Sequence, residues 1–128
     1  MKKLITLLLL ILIPVIGISE TIHYQSNEFA FKVGDGYWSN WESSCVFITI
    51  NTDTDLIVIH TDQPQRYKII EYMGEYEDNK GGYQLKFKVI DQDGDIGIVR
   101  IRRQANGVAQ LYIEYSDIMW VYSKLVVI

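Results

Sequence analysis

Two imidazoles, His23 and His60, and one thiol, Cys45, make up the imidazole and thiol inventory of this 128-residue chain. His60 alternates with Val58 and Leu56, which places it on one face near the end of a strand. Cys45 stands on the neighbouring apolar run, where a buried, inert thiol is expected. A Cys45–His60 pair across a hairpin has the reach for nucleophilic chemistry, but no third group orients the base and no nucleophile turn is recognisable. Zinc-ligand spacing is absent. The carboxylates are numerous but fall in turns, where water keeps them ordinary acids and singles out no general acid. No catalytic residue, cofactor or metal site is therefore assigned, and the chain is expected not to be an enzyme.

The acidic run Asp91-Gln92-Asp93-Gly94-Asp95 invites a calcium reading. An EF-hand loop needs glycine at its sixth place and glutamate at its twelfth, and counting from Asp91 those places hold Ile96 and Arg102. The EF-hand is excluded. A looser calcium site at a hairpin tip and a plain turn both fit these residues; the turn is adopted, because Asp and Gly tolerate turn geometry.

The aromatic residues say more. Tyr37, Trp38 and Trp41 fall in a glycine-led loop, and Trp120 and Tyr122 share a strand. Exposed Trp and Tyr stack on sugar rings or anchor a protein partner. Against that stands a bulkier role, in which Trp38 or Trp41 plugs the end of a barrel, and the plug is the reading adopted. A second candidate surface is basic: Lys86, Lys88, Arg100 and Arg102 alternate with apolar residues, with Tyr112 beside them. The candidate binding residues are thus Trp38, Trp41, Trp120, Tyr122, Lys88, Arg100 and Tyr112.

These side chains need elements to hold them. Tyr83, Leu85, Phe87 and Val89 alternate with Gln84, Lys86 and Lys88, the period-two pattern of a strand with one dry face. Runs over 96–103 and 108–115 follow across short turns, making an antiparallel meander. Matching apolar faces pairs Val89 with Val99 and Phe87 with Ile101 in the first hairpin. In the second it pairs Ile101 with Leu111 and Val99 with Ile113, leaving Gly107 at the left-handed position of a bulged three-residue loop. Lys88 then faces Arg100, Arg100 faces Tyr112, and Lys86, Arg102 and Gln110 line up. Like charges across a ladder are unfavourable by up to about 1 kcal/mol. Glu114 and the Tyr112 ring offset this, or else an anionic ligand does; the internal partners are the reading adopted.

The remaining strands are read at 22–25, 29–33, 45–50, 56–61, 66–72 and 119–127, with a loop over 75–82 and room for a helical turn at 117–119. Eight or nine short strands joined by hairpins predict an all-β, single-domain antiparallel meander, closed or partly open as a small β-barrel, with a β-sandwich as the alternative. Its interior is only just wide enough for its own side chains or one small ligand. Phe29, Phe31, Leu85, Phe87, Leu111 and Tyr115 are expected to point inward and fill it.

Ahead of this domain, Met1-Lys2-Lys3 leads an apolar run to Ile13, then Pro14, with Gly17 and Ser19 before a cut at Glu20. Residues 1–19 read as a secretory signal peptide and 20–128 as the β-barrel domain. The run is short for a membrane span and is broken by Pro14, so no stable membrane insertion is expected after cleavage. Loss of Lys2 and Lys3 would leave 10 basic and 16 acidic residues, an unpromising balance for nucleic acid. A lone cysteine excludes an internal disulfide.

Taken together, Trp38-Ser39-Asn40-Trp41-Glu42, Gln65-Arg66-Tyr67-Lys68-Ile69, Asp91-x-Asp93-Gly94, the run from Gln110 to Asp117, and Met119-Trp120-Val121-Tyr122 resemble a group of short, exported, uncharacterised all-β proteins of gut bacteria. That resemblance implies a bacterial exported protein, periplasmic or secreted, and brings no activity with it. The leading functional expectation is a non-enzymatic module that binds a protein or a glycan through loop and edge aromatics. A calycin-like carrier of a small hydrophobic ligand is the alternative, and a small hydrolase or hydrolase inhibitor the third. The sequence does not specify an oligomeric state.

Overall fold

In the computed structural model, residues 21–51 and 53–128 are described. The signal peptide expected at 1–19 lies outside them. The described chain is all-β: β1 (Thr21–Val33), β2 (Glu42–Asn51), β3 (Leu56–His60), β4 (Gln65–Glu77), β5 (Tyr83–Ile90), β6 (Ile96–Arg103), β7 (Ala109–Glu114), β8 (Ile118–Ser123) and β9 (Val126–Val127). Consecutive strands pair antiparallel from β1 to β8, and β8 returns to β1, closing an eight-stranded barrel. Closure leaves no long bare edge.

β1 makes the seam. Residues 21–29 pair with β2 on one side, while Glu28–Val33 pair with β8 on the other. The register shifts between Ser26 and Glu28, so the two short strands read at 22–25 and 29–33 are one strand carrying a bulge. Ser26 holds that bulge: its hydroxyl donates to the carbonyls of Glu28 and Ser123. β9 continues the register of β8 along β1, through Tyr24↔Val127 and Gln25↔Val126, after a break at Lys124, whose φ is 55°.

Two bulges in β4, after Ile69 and after Tyr72, carry the strand on to Glu77, so the loop expected over 75–82 shrinks to 78–82. Gly74 takes a φ of 114° at the second bulge, a conformation that only glycine adopts without strain. Residues 117–119 form no helical turn; Ile118 already begins β8.

The lumen is packed with Ile22, Tyr24, Ile48, Ile50, Ile57, Ile59, Ile69, Leu85, Phe87, Val89, Val99, Ile101, Leu111, Ile113 and Tyr122 as one cluster. Phe87, Leu85 and Leu111 lie inside it as expected, and Phe29 and Tyr115 pack against it. Phe31 does not: it reaches the barrel rim and is exposed. Cys45, expected to be buried, is also exposed. Its neighbours Val46 and Ile48 take the inward positions, so strand alternation turns Cys45 out.

The second hairpin has the expected register, Ile101↔Leu111 and Val99↔Ile113, with Gly107 at a φ of 89°. The first does not. Phe87 pairs with Val99 and Val89 with Gly97, two residues away from the expected match. A two-residue slip returns every side chain to the same face, so apolar matching cannot distinguish the two registers. The turn decides. Asp91 Oδ1 accepts the N–H groups of Asp93 and Asp95 at 2.9 Å each, and Asp91 N–H donates to the Asp95 carbonyl, tightening the loop to residues 91–95.

Candidate functional site

In a meander barrel every second turn lies at the same end. The β1–β2, β3–β4, β5–β6 and β7–β8 turns therefore share one mouth, and Gly34 N–H donates to the Asp117 carbonyl there. An open bowl of about 400 Å³ indents this mouth. Tyr67, Tyr115, Ile118 and Trp120 supply its apolar wall, Gln65 and Gln92 amide groups, and Asp91, Asp93, Asp95 and Asp117 carboxylates, with Arg66 as the basic member.

Its aromatic wall is fixed by contacts. The Tyr115 ring stacks on Trp120 at 5.9 Å between centroids, and its hydroxyl donates to Asp91 Oδ2 at 2.6 Å. Gly97 makes that placement feasible: a Cβ there would lie 3.0 Å from the Tyr115 ring. Below, the buried Tyr67 hydroxyl donates to Gln65 Oε1 at 2.6 Å, and Gln65 Nε2 reaches the Tyr122 hydroxyl at 3.4 Å. Trp120 Nε1 is buried with no hydrogen-bond partner among the described residues, and burial raises the Tyr122 phenol above its ordinary value.

The electrostatics follow from these bonds. The Tyr115 hydroxyl, and secondarily the turn N–H groups, hold the Asp91 carboxyl below its ordinary range despite partial burial. Burial first, then the adjacent Asp91 charge, push the Tyr115 phenol well above its ordinary value. Tyr67 is raised by burial and by its neighbours Tyr122 and Asp91. Both phenols stay protonated and serve as hydrogen-bonding groups rather than bases. The carboxylate oxygens of Asp91, Asp93 and Asp95 lie within 4.8 Å of one another. Asp91 is committed to the turn and to Tyr115, and these bonds account for the cluster as a turn.

The sequence candidates do not form one site. Trp120 and Tyr122 point inward at the mouth, Trp120 in the bowl wall and Tyr122 beneath it. Trp38 is not a plug: it lies on the outer wall with its ring edge-on to Tyr112 at 6.0 Å, because Ser39 is tied to Phe31 by bonds from and to its backbone and hydroxyl. Trp41, 48% exposed, stands at the start of β2 rather than in the lumen.

Arg100 and Tyr112 join Trp38 on the outer wall. Arg100 forks onto both Glu114 oxygens, donates to Gln84 at 3.0 Å, and lies 3.9 Å above the Tyr112 ring. Lys88 sits apart, paired with Glu71 at 3.4 Å; Arg102 pairs with Asp78 at 3.0 Å, and Lys86 lies over Tyr76. The shifted register sets Lys86, not Lys88, opposite Arg100 and Gln84 opposite Arg102. Each of these cations has a counter-group within the fold, so the basic rungs need no anionic ligand to offset their repulsion.

His60 Nε2 and Thr49 Oγ1 lie 2.9 Å apart, and His23 meets the same hydroxyl, while Cys45 contacts Gln25. The Cys45–His60 pairing is thus not formed. Gln65, Tyr67, Tyr115 and the Asp91 turn were not singled out as one site from sequence. The signal was topological: once a meander is inferred, alternate turns must share an end. Comparison with family models, with curated proteins and with solved structures finds no match. The resemblance to exported gut-bacterial proteins accordingly rests on the quoted residues alone.

Proposed function

We propose that the protein is an exported, non-enzymatic binding module that engages a partner protein or a glycan through the loop-bearing mouth of its barrel. The observation that carries this reading is the bowl: a concavity of about 400 Å³ at the end of a filled barrel, with aromatic walls held by hydrogen bonds and a polar lip. Pockets of this size and mixed lining are the usual places where ligands are held. Exposed Phe31, Val33, Tyr37 and Trp41 extend an apolar surface from the same end of the barrel. A carrier of a hydrophobic molecule would hold its cargo within the lumen, which here is occupied by the protein's own side chains.

Tryptophan emission tests the proposal, since Trp120 lines the bowl while Trp38 packs on the outer wall. Titration with a panel of glycans and candidate envelope proteins should shift the emission in a way that Trp120→Phe removes and Trp38→Phe preserves. A ligand response retained in Trp120→Phe but lost in Trp38→Phe would move the site to the outer wall. No response to any member of the panel would count against a binding role.

A further inference from the structure

We propose that the bowl receives a basic side chain, the guanidinium of arginine or the ammonium of lysine, presented by an apolar-flanked segment of a partner protein. The inference rests on the binding role proposed above and names the chemistry of its ligand.

Three features of the bowl agree on this chemistry. Its lining holds four carboxylates, Asp91, Asp93, Asp95 and Asp117, against the single cation of Arg66. Asp91 has both oxygens engaged, but Asp93, Asp95 and Asp117 are exposed and pair with no cation among the described residues. Lys88, Arg100 and Arg102 of the outer wall, by contrast, are each paired with a carboxylate of their own, Glu71, Glu114 and Asp78. Second, the wall behind the carboxylates is aromatic: Tyr115 and Trp120, stacked on each other, line the same space, with the buried Tyr67 beneath them. Carboxylates and aromatic rings both attract a cation, a combination that neither an anion nor a neutral alkane would satisfy.

The third feature separates a protein partner from a small free amine. Val33 pairs with Ile118 at the edge of the bowl, and Val33 and Phe31 are exposed beside it. A free polyamine would gain nothing from that rim. A basic side chain carried on a chain with apolar neighbours would bury it and place its charge in the bowl at once.

The test uses the full domain and four probes: a fluorescent peptide with one arginine flanked by leucines, the same peptide with glutamate for arginine, a linear triamine, and calcium chloride. The arginine peptide should raise fluorescence anisotropy and perturb Trp120 emission, weakening as salt is added. Asp93→Asn combined with Asp95→Asn, both at exposed positions, should weaken it roughly tenfold. Equal affinity for the glutamate peptide, or no loss in the double variant, overturns the proposal. So does saturation by the triamine or calcium with the arginine peptide excluded. A neutral glycan that perturbs Trp120 while the arginine peptide does not would keep the binding site and reject this ligand class. Retained far-ultraviolet dichroism in the double variant shows that lost binding is not lost folding.

Discussion

At the scale of single residues, Gly97 and Tyr115 are the tightest couple. Gly97 is buried opposite Val89, and its missing side chain is what lets the Tyr115 ring fold over β6 and reach Asp91. Gly97→Ala should cost about 1–3 kcal/mol, the range for overpacking a fitted site, and should alter Trp120 emission because Tyr115 stacks on that indole. Urea denaturation followed by fluorescence reads both. Tyr115→Phe keeps the ring and deletes the bond to Asp91, at about 1 kcal/mol after allowance for solvent screening. The pH dependence fixes the sign. The Asp91 carboxyl is lowered in the folded state, so its contribution is present above the unfolded carboxylate range and is lost as pH falls through the folded value. Tyr115→Phe should therefore lose most relative to the parent near neutrality, and the difference should shrink in acid. Tyr24 makes the opposite case, since its hydroxyl is buried in the lumen without a partner among the described residues. Tyr24→Phe should leave thermal stability unchanged or raise it, because no hydrogen bond is lost and an unsatisfied group is removed.

Among the elements, the β5–β6 and β6–β7 hairpins differ in what determines them. The glycine of the β6–β7 turn has a single conformational use, and with the alternation of Ile101, Leu111 and Ile113 it leaves one register. That hairpin was legible. In β5–β6, slipping by two residues keeps Phe87 and Val89 inside, and the preference came from the Asp91 side chain capping its own turn. Apolar patterning carries no record of such a bond. The strands themselves were legible where alternation was clean, as in β5, and blurred where bulges interrupt it, as at Asn27 in β1 and along β4. The outer wall of β5–β8 also bears on stability. Arg100 engages Glu114 with two donors and lies over Tyr112, a geometry that an ammonium cannot reproduce. Arg100→Lys should destabilise the barrel by roughly 1 kcal/mol, and Glu114→Gln combined with it should add less than the sum of the single losses in a double-mutant cycle.

For the molecule as a whole, closure makes one cooperative unit: every strand from β1 to β8 pairs on both sides, and one apolar cluster runs through them. Heat or urea should unfold it in a single transition, with tryptophan emission and far-ultraviolet dichroism superimposing. Separate transitions would show that the bulged ends of β1 and β4 melt on their own. The candidate mouth was only half legible from sequence, because its members come from four stretches far apart in the chain. Trp120 was visible as a residue type; its partners became visible only through the order of the turns.

The seam has a further consequence. β8, the eighth strand of the described chain, must hydrogen-bond to β1, the first. A ribosome working from the amino end therefore releases seven strands before the circle can shut, and until then β1 and β7 each wait with one flank uncovered. A message truncated before Ile118 would yield a ribbon with two sticky margins instead of a smaller barrel.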